Sequence, residues 1–193
     1  MALDSLQALL ISELKDLYSA ENQLLKALPR MAKASSAPEL RAAFTEHLEV
    51  TRGQIGRLDQ VFSMLELAPK GKKCKAMEGL IAETKELLEE DAEASVLDAA
   101  LIAAGQRVEH YEIAGYGCVK TFAKLLGMDE VAGLLQQTLD EEGEADKKLT
   151  ALAESIINVG ALQAEGDEDG VEEAAVAPAP ARKKKPARKG PAA

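Results

Sequence analysis

Apolar residues recur every three or four positions through four long stretches of this chain, and that period admits one kind of element. Leu3, Leu6, Leu10, Leu14, Leu17, Leu24 and Leu28 form the first stripe, the mark of an amphipathic α-helix. Pro29 is expected to end it. A second helix is predicted from Pro38, which suits a first helical turn. It runs through Phe44, Leu48, Thr51, Ile55, Leu58, Phe62 and Leu65 to just before Pro69. A third begins at about Ser95, with Asp98 as its capping partner, and passes Leu101, Gly105, Val108, Gly115, Val119, Phe122 and Leu126 to a stop at Gly127. The fourth starts near Asp129 and passes Val131, Leu135, Thr138, Leu149, Leu152 and Ile156 to Gly160. Glycine is a common residue just past a helix C-terminus, which supports both stops.

Composition agrees with an all-α chain. Aromatic residues make up 3% and Trp is absent, which argues against a β-sandwich or barrel. Ala, Leu, Glu and Lys, the strong helix formers, dominate. The links 29–37 and 127–128 are short, so the first and second helices, and the third and fourth, should form antiparallel hairpins. The link 69–94 is long enough to traverse the bundle. It holds a basic loop, PKGKKCK, and a shorter amphipathic stretch, AMEGLIAETKELLEE. Hairpin, long crossover, hairpin is the connectivity of a ferritin-like four-helix bundle, here with a short fifth helix in the crossover. Seven glycines fall inside the helices (Gly53, Gly56, Gly105, Gly115, Gly117, Gly133 and Gly143). They are read as places of close helix approach or a bulge.

Charge divides the chain after Gly160. Residues 1–160 carry 17 Lys+Arg against 27 Asp+Glu, a balance of −10, so nucleic-acid binding by this part is not expected. Residues 161–193 are neutral but blocked. Glu165 to Glu173 form an acidic run, and Arg182, Lys183, Lys184, Lys185, Arg188 and Lys189 follow among four prolines. With few large apolar residues, this segment is expected to be a disordered tail. No run approaches the length of a membrane span, and the N-terminus does not read as a secretory signal. Cys74 and Cys118 are too few for a disulfide framework or a zinc site, which together points to a reducing, cytoplasmic setting. Cys118 reads as a packing residue, and Cys74, among Lys72, Lys73 and Lys75, as a thiol whose pKa neighbouring charge could lower.

Each apolar stripe is interrupted by an ionisable residue. Glu21 stands among leucines in the first helix, Glu112 in the third with Glu109 at its edge, and Glu142 in the fourth with Asp146 one turn on. The second helix places His47 on the side of Thr51, Gln54 and Leu58. A carboxylate buried without a partner is costly, so it must be protonated, paired or bound to metal. Glu21 lies eight residues before Pro29 and His47 nine after Pro38, while Glu112 lies 15 before Gly127 and Glu142 13 after Asp129. Within each hairpin these residues should therefore meet at nearly one level. They could be structural groups satisfied by Tyr18, Tyr111, Tyr116 or Arg107. As a cage of carboxylates with one imidazole, they would suit iron or manganese, one or two ions, better than zinc.

Five segments carry a family resemblance: YSAENQLLKAL (18–28), EHLEVTRGQIGRLDQVF (46–62), AMEGLI (76–81), DAALIAAGQRVEHYEIAGYG (98–117) and LLQQTLDEEGEADKKLTALA (134–153). Together they resemble the YciE/YciF family of ferritin-like stress proteins. The resemblance implies a ferritin-like bundle, a dimer, a two-metal site and a ferroxidase-like activity. The wider di-iron pattern has a single Glu on each of two helices and Glu-x-x-His on each of the other two. Glu21 and Glu112 match the single glutamates. Three residues before His47 stands Phe44, and three after Glu142 stands Ala145, which leaves Asp146 as the nearest second ligand. Two functions are then in view: metal-dependent Fe²⁺ oxidation or peroxide removal at Glu21, His47, Glu112, Glu142 and Asp146, or a non-catalytic protein whose tail (Lys183, Lys184, Lys185, Arg188 and Lys189) holds nucleic acid through phosphate contacts. Leu9 and Leu25, off the main stripe, are candidates for a homodimer interface.

Overall fold

A computed structural model of the chain describes residues 3–70 and 72–169. Helix α1 spans Leu6–Ala34, with Ser5 Oγ accepting from the Ala8 N–H at 3.1 Å as its N-cap. Helix α2 spans Pro38–Met64 with the proline in its first turn. The crossover carries α3, Lys75–Leu87, and leads into α4, Ala94–Leu125. Gly127 takes a φ of +73° between α4 and α5, Asp129–Leu152, a conformation that favours glycine. Beyond α5 the chain makes a π-helical turn, Ala153–Ile157, and continues as α6, Asn158–Asp169. Among the described residues there is no strand.

Several expected boundaries shift. Pro29 lies inside α1 rather than at its end. It is exposed, so water can reach the carbonyl that its missing N–H leaves free, and Met31 and Ala32 beyond it are buried in the core. Packing of that last turn outweighs the local cost. Asp98 does not cap its own helix. It reaches across to the α1–α2 turn and accepts from the Ser36 N–H at 2.8 Å, the Ala37 N–H at 2.8 Å and the Ser36 hydroxyl at 2.5 Å. At the far end the helical path passes through Gly160 to Asp169, so the break expected there is not a helix end. Residues 170–193, including the basic run and most of the expected tail, lie outside the described residues.

Only two of the seven glycines sit at close approaches. A Cβ on Gly115 would lie 2.8 Å from Leu17 Cδ2, and one on Gly105 3.1 Å from Leu149 Cδ1, whereas Gly53, Gly56, Gly117, Gly133 and Gly143 face open space. The cysteines also depart from expectation. Cys118 is exposed, so it does not pack. Cys74 is buried at the N-cap of α3, with Sγ 3.0 Å from the Tyr111 hydroxyl, and burial pushes its thiol pKa up instead of letting the lysines lower it.

The apolar core is in two parts. One gathers Leu24 and Leu28 of α1, Phe44 of α2, Leu101 and Val108 of α4 and Leu149 of α5. The other gathers Leu10, Leu14 and Leu17 of α1, Leu58 and Phe62 of α2, Tyr116 and Val119 of α4 and Leu135 of α5. Along every long helix the residues between the two sets are polar and buried: Glu21, then His47, Thr51 and Gln54, then Glu109 and Glu112, then Thr138 and Glu142. The antiparallel run of the helices brings these four stretches to one level.

Candidate metal centre

Each long helix contributes to the middle layer because its apolar period is unbroken on both sides, so whatever occupies the intervening stripe position must face inward. Glu21, Glu112 and Glu142 are fully buried at 0% exposure, Glu109 is at 3% and His47 at 8%. One ligand atom from each of His47, Glu109, Glu112 and Glu142 lies within 4.8 Å of the other three. His47 Nε2 is 3.4 Å from Glu109 Oε1 and 3.7 Å from Glu142 Oε2. Glu21 completes the layer from α1, close enough that its charge raises the pKa of Glu112 and of Glu109.

Two neighbours orient the acids without satisfying them. The Tyr116 hydroxyl donates to Glu21 Oε1, and the Gln54 amide donates to Glu142 Oε1. The opposite oxygens, Glu21 Oε2 and Glu142 Oε2, remain without a hydrogen-bond partner, as do His47 Nε2, Glu109 Oε2 and both oxygens of Glu112. The Arg57 guanidinium reaches only the layer's edge, where it donates to Glu141 at 2.7 and 2.9 Å and to Thr138 at 2.6 Å; its charge partly offsets the rise in the Glu21 pKa without hydrogen-bonding the acid. Native interiors leave few polar groups unpaired, and here seven such atoms, Gln54 Oε1 included, are gathered in one place.

The electrostatic consequence is direct. Burial first, and neighbouring carboxylates second, push Glu21, Glu109 and Glu112 well above the usual carboxylate range. Burial lowers the pKa of His47, favouring the neutral imidazole that a metal requires. Burial and the Glu21 charge raise that of Tyr116, which keeps its hydroxyl a donor. A divalent cation at this point would reverse the penalty on every acid at once, since it favours the charged forms that burial disfavours. The donor set, carboxylate oxygens with one imidazole, fits iron or manganese.

Of the residues singled out from sequence, the structure brings Glu21, His47, Glu112 and Glu142 together. Asp146 stands apart: it is half-buried at the α4–α5 edge, where its Oδ1 accepts from the Gln106 amide at 2.9 Å and lies 3.3 Å from Nε2 of the exposed His110. Glu109, placed at the stripe's edge from sequence, is instead a member of the cluster. Its signal was available in the spacing: three residues separate Glu109 from Glu112, which puts both on one helical face. Tyr116, named from sequence as one of four possible partners of these acids, does hydrogen-bond Glu21, while Gln54, placed from sequence on the His47 side of its helix, orients Glu142.

The sequence matches the family described as a domain of unknown function, DUF892, over residues 5–162. The chain belongs to the DUF892 family. Protein YciF of Escherichia coli strain K12 is 50% identical over 159 residues, which cover 82% of this chain and 96% of that protein. The crystal structure of the Escherichia coli stress protein YciF superposes with a TM-score of 0.78 at 49% identity, covering 81% of this chain and 99% of that one. YcfI of Rhodopseudomonas palustris follows with a TM-score of 0.75 at 44% identity, covering 78% and 97%. A Xanthomonas campestris protein at 23% identity has the same fold, with a TM-score of 0.69 over 84% of this chain and 99% of its own. The all-helical architecture is therefore that of YciF-like proteins. Among the described residues no helix is long and apolar enough to cross a membrane.

Proposed function

We propose that the central layer holds one or two iron or manganese ions and that the protein oxidises Fe²⁺, with oxygen or a peroxide as electron acceptor, in a stress response. The observation that carries this reading is the set of inward-facing, unpartnered oxygens on Glu21, Glu109, Glu112 and Glu142 beside an unpartnered imidazole nitrogen. A bound ion would supply redox chemistry; the protein's own residues supply the rest. Gln54 and Tyr116 each hold one oxygen of a carboxylate and leave the other free. The two apolar clusters exclude water from above and below. Uptake requires Glu109 and Glu112 to give up the protons that burial makes them keep, so proton release accompanies loading. The test is anaerobic loading with Fe²⁺ followed by addition of oxygen or peroxide, with ferric absorbance as the readout. Glu142→Ala should abolish the reaction while helicity by circular dichroism is kept; equal rates in both proteins would overturn the assignment.

The segregated charge of residues 161–193 supports a second role, retention of nucleic acid through Lys183, Lys184, Lys185, Arg188 and Lys189. Removing residues 174–193 should abolish DNA retention at low salt, and retention that survives removal would refute it. A cytoplasmic homodimer remains part of the proposal, and light scattering tests the dimer.

A further inference from the structure

A cavity of about 310 Å³ lies between α2 and α5. Its walls are short where longer side chains would fill the space: Ala43 and Val50 from α2, Ala145 from α5. Two ion pairs clasp the same seam on either side of it. Arg57 grips Glu141 toward one end, and Lys148 Nζ lies 2.5 Å from Glu46 Oε2 toward the other. Asp140, Glu144 and Glu46 are exposed at its mouth. An acidic rim alone would signify little. This one leads to His47 and Glu109, both more than nine-tenths buried, each carrying an atom with no hydrogen-bond partner.

We propose that this opening is the port by which a divalent cation reaches the central layer, with the acidic mouth gathering the ion, His47 and Glu109 receiving it first, and the Lys148–Glu46 pair acting as its gate. The proposal rests on the metal reading above and adds a route to it. Ala43, Val50 and Ala145 offer no ligand along its walls and the Glu141 carboxylate is held by Arg57, so an ion that enters is passed inward instead of being held on the way. Among the described residues Lys148 is the only lysine or arginine in the lining. Its charge opposes entry, and its pairing with Glu46 occupies one of the rim carboxylates that could otherwise gather an ion.

The test is stopped-flow association of Co²⁺ with the metal-free full-length protein, read by the absorbance of the coordinated ion, with ions bound per chain measured at equilibrium. Ala145→Phe fills the port and should slow association at least tenfold while the number of ions bound and the final spectrum stay as in the unmodified protein. Lys148→Glu reverses a charge exposed at the mouth, and circular dichroism checks that helicity is kept. It should speed association about threefold at low salt, a gain that disappears at high salt. Unaltered rates in both variants, with normal stoichiometry, would overturn the port and leave the metal reading intact. Failure of the unmodified protein to take up Co²⁺ would overturn the metal reading and the port with it.

Discussion

Asp98 and Glu112 sit on the same helix and are both buried, at 1% and 0% exposure, yet they belong to opposite kinds of environment. Asp98 accepts two backbone N–H groups and a hydroxyl from the α1–α2 turn. Glu112 has no partner for either oxygen, and burial and three neighbouring acids keep its pKa high. A buried carboxylate that ties two elements together is recognised by full satisfaction; one that awaits a cation is recognised by the lack of it. The contrast extends to whole regions, since the layers on either side of the acids are packed with leucine and phenylalanine and the layer between them with groups that repel one another.

Stability measurements should break the pair apart most visibly. Asp98→Ala should lower the unfolding free energy by about 3 kcal/mol, because two backbone N–H groups lose their acceptor, while metal uptake is kept. Glu112→Leu should do the reverse: raise the stability of the metal-free protein by about 1–3 kcal/mol, as replacing an unpaired buried acid with an apolar group often does, and reduce uptake. Urea titration of both variants measures this. A loss of stability in Glu112→Leu comparable with that in Asp98→Ala would mean that the central acids are structural.

A smaller effect concerns pH. The folded-state pKa values of Glu21, Glu109 and Glu112 are raised, so as pH climbs through the ordinary carboxylate range the unfolded chain releases protons that the folded chain still holds. The metal-free protein should therefore lose stability from about pH 4 upward until those folded-state values are passed. His47, with its pKa lowered, acts in the opposite sense just below about pH 6.5, where the unfolded chain gains a proton that the folded one refuses. Added Mn²⁺ should restore stability at neutral pH and raise the melting temperature, an effect that a chelator removes. Glu112→Leu should flatten the carboxylate part of the pH profile.

The smallest contrast compares two glycines of α4. Gly115→Ala drives a Cβ into Leu17 and should cost about 1–2 kcal/mol, whereas Gly117→Ala meets open space and should add up to about 1 kcal/mol of helix stability. Thermal melts of the two variants would separate close approach from mere tolerance.

Much of this was legible in the chain because two periodicities had to agree. The three-and-four spacing located the long helices, and an acid interrupting that spacing in Glu21, Glu112 and Glu142 marked the inward layer. What escaped depends on contacts that period does not encode. Asp98 looked like a cap for its own helix because its true partners, Ser36 and Ala37, lie about sixty residues away. Pro29 looked like a stop because local propensity says nothing of the core that Met31 and Ala32 would reach. Asp146 follows Glu142 by one turn, but the helix turns it toward Gln106 and His110 at the half-exposed edge. The position of Cys74 beneath Tyr111, where burial outweighs nearby lysines, could only come from the docking of the crossover.

Anomalous diffraction from a crystal soaked in Mn²⁺ tests the central claim most directly. An anomalous peak within bonding distance of His47 Nε2 and an oxygen of Glu112 is the expected result. Manganese found solely on surface carboxylates, with the buried acids hydrogen-bonded to one another or to water, would contradict it.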